Sequence, residues 1–330
     1  MIFPSGSTRL IHSINEVVAF SVGVFGNVFL ILLVISHKSS IAVVYRRILI
    51  QLVLIDILFN IMTVIIQPIT LVVEGSQYFV QNGVLRNIAH PWNHYLNMIW
   101  LMMFYFSFCS VCIQYIFRYL IICRDYEISV TKYQLLFLFP LFVSGGFFFL
   151  LVKGYYPEPE PCSDIKIQEL AEVLAEGNCS TFLLATRLKS TDPLAKYLAL
   201  IGLFIVATNY SIIIFCTFKV EKYLKVAQLS VQTQHLHREM TRAMLVQAIS
   251  PLLVSMGPTL FAVYCIMFTQ TAIDSMIFTV MCVAWLPVIN SISTIFLIKP
   301  FRQKIFFWIF PKKIMNNIIK VTAPTERTNI

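Results

Sequence analysis

The sequence predicts an all-α membrane protein, a bundle of seven transmembrane helices with its amino terminus outside. Three observations predict it. First, 58% of the 330 residues are hydrophobic and only 12% charged, with a mean hydropathy of +0.78, whereas a soluble domain carries about 25% charged residues. Second, the apolar residues form runs long enough to span a bilayer, which takes about 20 predominantly apolar residues. Third, the basic residues are sorted by loop. Of 25 Lys and Arg, 17 fall in alternate segments assigned to the cytoplasm, seven in the outer ones, and one, Arg118, within an apolar run near its cytoplasmic end; the positive-inside rule then fixes the orientation.

The seven runs are Ile14–Ile35, Ile48–Val73, Tyr95–Ile122, Tyr133–Val152, Tyr197–Phe218, Ala243–Phe268 and Ile273–Ile298, numbered spans 1 to 7. Residues 1–13 form a polar extracellular leader with a single Arg9, and the first apolar run is too long for a signal-peptide core, so span 1 is expected to be retained. The net charge of +9 does not indicate nucleic acid, because the large outer loop, residues 153–196, is net acidic while the inner segments are basic.

Span 1 carries Asn27 beside Gly26, and span 2 carries Asp56. An acid at that depth needs a partner, and Asn27 or Asn290 of span 7 is expected to supply it. Together the three make a candidate intramembrane polar network. In the loop after span 2, His90 and His94 stand four apart, but Pro91 separates them and no carboxylate or cysteine adjoins. An interfacial aromatic belt is expected there rather than a metal site. Span 3 ends in an apolar run interrupted by Arg118, and a charge within such a run costs at least about 2.5 kcal/mol at the bilayer centre. Arg118 is therefore the first candidate functional residue.

The outer loop opens on the proline-rich segment 155–161, and residues 164–176 repeat apolar side chains at helical spacing, predicting a short amphipathic helix over the outer mouth. Cys162 and Cys179 are its two cysteines. A straight helix between them separates their Cα atoms by about 25 Å, against the 7 Å limit of a disulfide. A bridge and the helix coexist only if the chain doubles back, and Cys265 is a further candidate partner. Asn178-Cys179-Ser180 fits the N-glycosylation pattern on the outer side.

Between spans 5 and 6, Lys219, Lys222, Lys225, Arg238 and Arg242 alternate with apolar residues without Gly or Pro, so both spans are expected to extend beyond the membrane as basic arms. These arms can attract anionic lipid or dock a cytosolic partner. Pro251 and Pro258 in span 6 and Pro287 in span 7 predict kinks. Residues 299–310 suit a helix lying in the interface, and residues 311–330 read as a disordered cytoplasmic tail.

Enzyme signatures such as G-x-x-x-x-G-K-[ST], H-E-x-x-H and G-x-S-x-G are absent, and span 7 holds no lysine for a retinal. No catalysis, cofactor or metal is expected. A bundle with a covered outer mouth, kinked helices and a basic inner face suits a receptor, in which an outer ligand biases two packings that are read inside. The outer halves of spans 3, 6 and 7 supply the candidate ligand pocket: Asn97, Trp100, Met103, Phe104, Tyr264, Met281 and Trp285. So little charge suits a small, mostly apolar molecule.

Gly26-Asn27, Leu52-x-x-x-Asp56 and Phe117-Arg118-Tyr119 resemble the pattern of rhodopsin-like receptors, the last in the place of their acid-Arg-Tyr motif. The sequence departs from that pattern at Phe117, where the acid stands, at the outer end of span 3, which lacks a cysteine, and at Asn290-Ser291-Ile292-Ser293, where Asn-Pro-x-x-Tyr is usual. Together with Tyr45-Arg46-Arg47-Ile48-Leu49, Gln67-Pro68, the stretch from Thr241 to Pro251 and Lys299-Pro300-Phe301-Arg302, the combination resembles the nematode serpentine chemoreceptors of the Str superfamily. Class d (Srd) is the nearest in pattern, and class str or class h follows. The resemblance covers about residues 14–310.

The resemblance implies a rhodopsin-like G-protein-coupled receptor architecture in the plasma membrane, including the ciliary membrane of a sensory neuron. It implies an odorant or similar small ligand outside and a heterotrimeric G protein inside, with Arg118, Tyr119, Phe117, Lys222, Lys225, Arg238 and Arg242 as the coupling and switch residues. With Phe117 in place of an acid, the expectation is either high basal activity or a different lock, for which Asp125 and Glu127 are nearby carboxylates. The alternative is a transporter or channel subunit acting without a G protein.

Overall fold

A computed structural model describes residues 7–36, 40–126, 129–155, 184–189, 191–226 and 231–309. Cys162, Cys179, Asn178, Glu127, the expected amphipathic helix at 164–176 and the tail 311–330 lie outside the described residues.

Span 1 is α1 (Thr8–Ser36) and span 2 is α2 (Ser40–Ile66); span 3 is α3 (Trp92–Arg124). Span 4 is the short α4 (Val130–Leu136) followed by α5 (Leu138–Gly154), and span 5 is α6 (Pro193–Val226). Span 6 runs as α7 (Val231–Pro251), a π-helical turn over Leu252–Met256 and α8 (Gly257–Met267). Span 7 is α9 (Asp274–Val283) and α10 (Leu286–Leu297), and α11 (Lys299–Ile309) follows it. Six of the described helices are long and apolar enough to cross a membrane, and a seventh crossing results when α9 and α10, bent by 41°, count as one.

The prolines account for the breaks. Pro251 has no N–H to give and its ring crowds the carbonyl four residues earlier, so the α-helical ladder ends there and resumes after the π turn. Span 7 breaks just before Pro287, which sits in the first turn of α10, where a missing N–H costs nothing.

Among the described residues the fold carries one small sheet, where the sequence predicts none. The span 2 helix stops at Ile66, seven residues short of the expected Val73. The residue before a proline avoids α-helical geometry, and Gln67, which precedes Pro68, turns to a φ of 44°. The chain then forms strands β1 (Pro68–Val73) and β2 (Ser76–Gln81), antiparallel, with Val73 opposite Ser76. Glu74 and Gly75 join them, both at positive φ (46° and 74°), as a two-residue hairpin turn requires. The outer loop returns as β3 (Leu184–Leu188), which pairs with β2. Backbone bonds from Val72 to Ala272 and from Gly75 to Gln270 tie the hairpin to the segment between α8 and α9.

The two largest apolar clusters among the described residues occupy opposite ends of the bundle. One lies towards the sheet and centres on Phe59, Trp100, Tyr105, Phe147 and Val280. The other lies towards Arg118 and centres on Leu33, Val53, Phe117, Tyr133 and Ile295. Phe301 of α11 is buried in the second cluster, so α11 lies against the bundle.

Candidate functional site

Beneath the sheet is a cavity of about 140 Å³. It is walled by Trp100, Leu101, Phe104 and Tyr105 of α3, Phe147 and Leu151 of α5, and residues of α6, α8 and α9, and it is roofed by Thr70, Gln77, Phe79 and Leu188 of the strands. The α3 residues share one helical face because they recur at intervals of three and four. Trp100 is fixed by its indole N–H, which donates to Thr63 at 3.0 Å, and stacks with Phe104 at 6.2 Å. Tyr105 meets Phe147 edge to face at 4.8 Å, and its hydroxyl lies over Gly202, where an added Cβ would come within 2.8 Å of it. At the roof, the Tyr155 hydroxyl donates to the Gln77 side-chain carbonyl at 2.7 Å. Among the described residues, none that lines the cavity is charged.

Of the seven expected pocket residues, the structure brings Trp100 and Phe104 together in this cavity and places the other five outside it. Asn97 is buried one turn above, its amide donating to the Asn93 carbonyl. Met103 packs on another face of α3. Tyr264 is half exposed and stacks with Phe261 on the outer side of α8. Met281 packs its side chain against the apolar cluster of the strands while its carbonyl accepts from the Asn15 amide at 3.0 Å, and the Trp285 indole turns to α1 and donates to Asn15 Oδ1 at 3.0 Å. The sequence reading also missed the roof. Its signal was present in Gln67-Pro68 and in Glu74-Gly75 between two β-branched and aromatic runs.

Midway through the bundle, the Asn290 amide donates to both oxygens of Asp56, at 3.2 Å each. Asn27 takes a different place, donating to the carbonyls of Gly23 (2.8 Å) and Pro287 (3.2 Å). It joins α1 to the break in span 7, and Asp56 joins span 2 to the same helix. Gln247 of α7 extends the polar column by donating to Thr294 at 2.6 Å.

At the end remote from the sheet, Arg118 is 2% exposed. Its Nη2 donates to Thr241 at 2.6 Å and its Nη1 approaches the Met244 sulfur at 3.7 Å, so the guanidinium joins α3 to α7. Phe117 turns the other way, edge to face with Tyr133 at 4.7 Å. Tyr119 accepts from Arg124 at 3.0 Å, and Asp125 ends α3 in left-handed geometry. Lys222 and Lys225 on α6 and Arg238 and Arg242 on α7 are exposed, and Glu239 of α7 accepts the backbone N–H of Lys299 at 2.9 Å.

The model of a family described as "Serpentine type 7TM GPCR chemoreceptor Str" matches residues 12–306. The chain belongs to that family. The match supports the Str superfamily and does not single out class d. Among solved structures, squid rhodopsin is similar, with a TM-score of 0.64 at 13% identity, covering 94% of this chain and 88% of the rhodopsin chain. At that identity the likeness speaks for the fold, a rhodopsin-like bundle. No curated protein matches this chain. As a Str chemoreceptor, the chain is a multi-pass membrane protein whose cavity, polar column and buried arginine lie along one seven-helix bundle.

Proposed function

We propose that this chemoreceptor binds a small, weakly charged environmental molecule in the cavity beneath the sheet and signals to a heterotrimeric G protein from the Arg118 end. The sheet end then faces outward and the basic arms of α6 and α7 face the cytoplasm of a sensory neuron, in the plasma membrane or its ciliary extension. The observation that carries this reading is that span 6 touches both places. Its α8 segment lines the cavity through Thr259 and Ala262, and its α7 segment holds Arg118 through Thr241. The π turn between them is the bistable element, since a ligand acts only by binding one of two packings better than the other.

In the resting packing, Thr241 and Met244 take the place of an acidic lock on Arg118. In the signalling packing the guanidinium is released to the G protein, with Lys222, Lys225, Arg238 and Arg242 as the flanking positive surface and anionic lipid as a second partner for those side chains. The test is Arg118→Ala in cells that carry a cAMP or calcium reporter and display the protein at the surface. Loss of the response to an activating chemical with surface display intact supports the reading. A response that persists without any G protein, as current or uptake, overturns it in favour of a channel or transporter.

A further inference from the structure

The roof of the cavity is mostly buried and tied by backbone hydrogen bonds, with Gln77 partly exposed. Thr70, Phe79 and Leu188 are at most 5% exposed, the three strands that carry them are hydrogen-bonded to one another, and the hairpin is tied to Ala272 and Gln270. Opening this end breaks several backbone hydrogen bonds at once, in a setting where unpaired backbone groups are costly. The wall between α6 and α8 is built differently. It presents the small side chains Ala199, Thr259 and Ala262 to the cavity, and all three are partly exposed. Their neighbours Leu200, Leu260 and Phe261 are 49%, 46% and 41% exposed, an apolar surface of the kind that faces hydrocarbon.

We infer that the cavity is entered from the bilayer, between α6 and α8, and that its occupant is a small, neutral molecule that partitions into lipid. The inference rests on the receptor reading for the purpose of the cavity, but not for the route. A solute arriving in water meets the hydrogen-bonded roof, whereas one dissolved in the membrane is concentrated beside Ala199 and Ala262 by the same hydrophobic effect that holds it in lipid. Size agrees with this. A cavity near 150 Å³ lined by apolar side chains holds a molecule of about benzene's size.

Trp100, which lines the cavity, reports entry. The receptor in nanodiscs of palmitoyl-oleoyl phosphatidylcholine is exposed to 1-bromohexane, a neutral contact quencher that dissolves in lipid, or to iodide or acrylamide, which stay in water. The fluorescence missing in Trp100→Phe, a variant that keeps an aromatic ring at the site, isolates the Trp100 signal. The expected result is quenching of that signal by bromohexane and sparing by both aqueous quenchers. Ala199→Leu and Ala262→Leu, separately and together, are expected to abolish the bromohexane effect with melting temperatures near that of the parent. Equal quenching by acrylamide, or bromohexane quenching unchanged in folded filled variants, overturns the portal. Should those variants not fold, the comparison of quenchers on the parent protein still decides. No G protein enters the assay, so failure here leaves the receptor reading standing, and failure of coupling leaves the portal standing.

Discussion

The amide of Asn290 spans both oxygens of Asp56 at 3.2 Å, and Asp56 is 5% exposed. This contact makes span 2 and span 7 one polar unit within the apolar bundle. A buried polar group that loses its partner costs about 1–3 kcal/mol. Asn290→Leu is therefore expected to lower the melting temperature of the purified receptor more than Asn290→Gln or Asp56→Asn, which retain a hydrogen-bonding group. Equal melting of Asn290→Leu and the parent protein shows that the pair is dispensable.

Under the proposed function, Thr241 takes the lock role that Phe117 cannot. Its hydroxyl accepts from a buried guanidinium at 2.6 Å, and hydrogen bonds to charged groups contribute about 1.5–3 kcal/mol. If that contact exists only in the resting packing, Thr241→Ala shifts the equilibrium towards signalling by about ten- to a hundredfold, since 1.4 kcal/mol is a factor of ten. Basal reporter output without added ligand is expected to rise in Thr241→Ala and to vanish in Arg118→Ala. Unchanged basal output in Thr241→Ala at equal surface display removes the lock.

The hairpin turn is a further point of leverage. Gly75 adopts a φ of 74°, and a Cβ there would come within 2.9 Å of the Thr269 Cα. Left-handed geometry alone costs a non-glycine residue about 1–2 kcal/mol, and the clash with backbone adds to it. Gly75→Val is expected to loosen the roof, lowering the melting temperature and raising acrylamide access to Trp100. Glu74→Asn, which suits positive φ, is expected to leave both unchanged.

The helices were legible in the sequence because a bilayer imposes length and hydropathy on every span, and the family was legible in ordered motifs. The roof was hidden because Pro68–Val73 is as apolar as the helix before it. Hydropathy does not distinguish a buried strand from a membrane helix, and only Gln67-Pro68 and Glu74-Gly75 punctuate the run. Chemistry alone narrowed the partner of Asp56 to Asn27 or Asn290, since a deep acid has few possible partners, and the structure gives Asn290. Pocket residues were harder, because Trp100 and Trp285 look alike in sequence and only the rotation of each helix turns one to the cavity and the other to Asn15. Which individual residues meet Arg118 was unreadable for a similar reason, since Thr241 has nothing in its type to mark it.

The size of the cavity limits what it accepts. Each buried methylene contributes about 0.8 kcal/mol, so within a homologous series of neutral activators potency is expected to rise about fourfold per carbon while the molecule still fits. The rise should stop at about six to eight non-hydrogen atoms, the filling of a cavity close to 150 Å³, and longer members should lose potency by overpacking. Gly202→Ala sharpens the test. The new methyl would lie 2.8 Å from the Tyr105 hydroxyl and displace that ring, whose side chain lines the cavity. The optimum chain length in a dose–response series should then shorten by about one carbon, the volume of the added methyl. An optimum that stays fixed in Gly202→Ala, or a potency that keeps rising well past eight atoms, places the ligand elsewhere in the bundle.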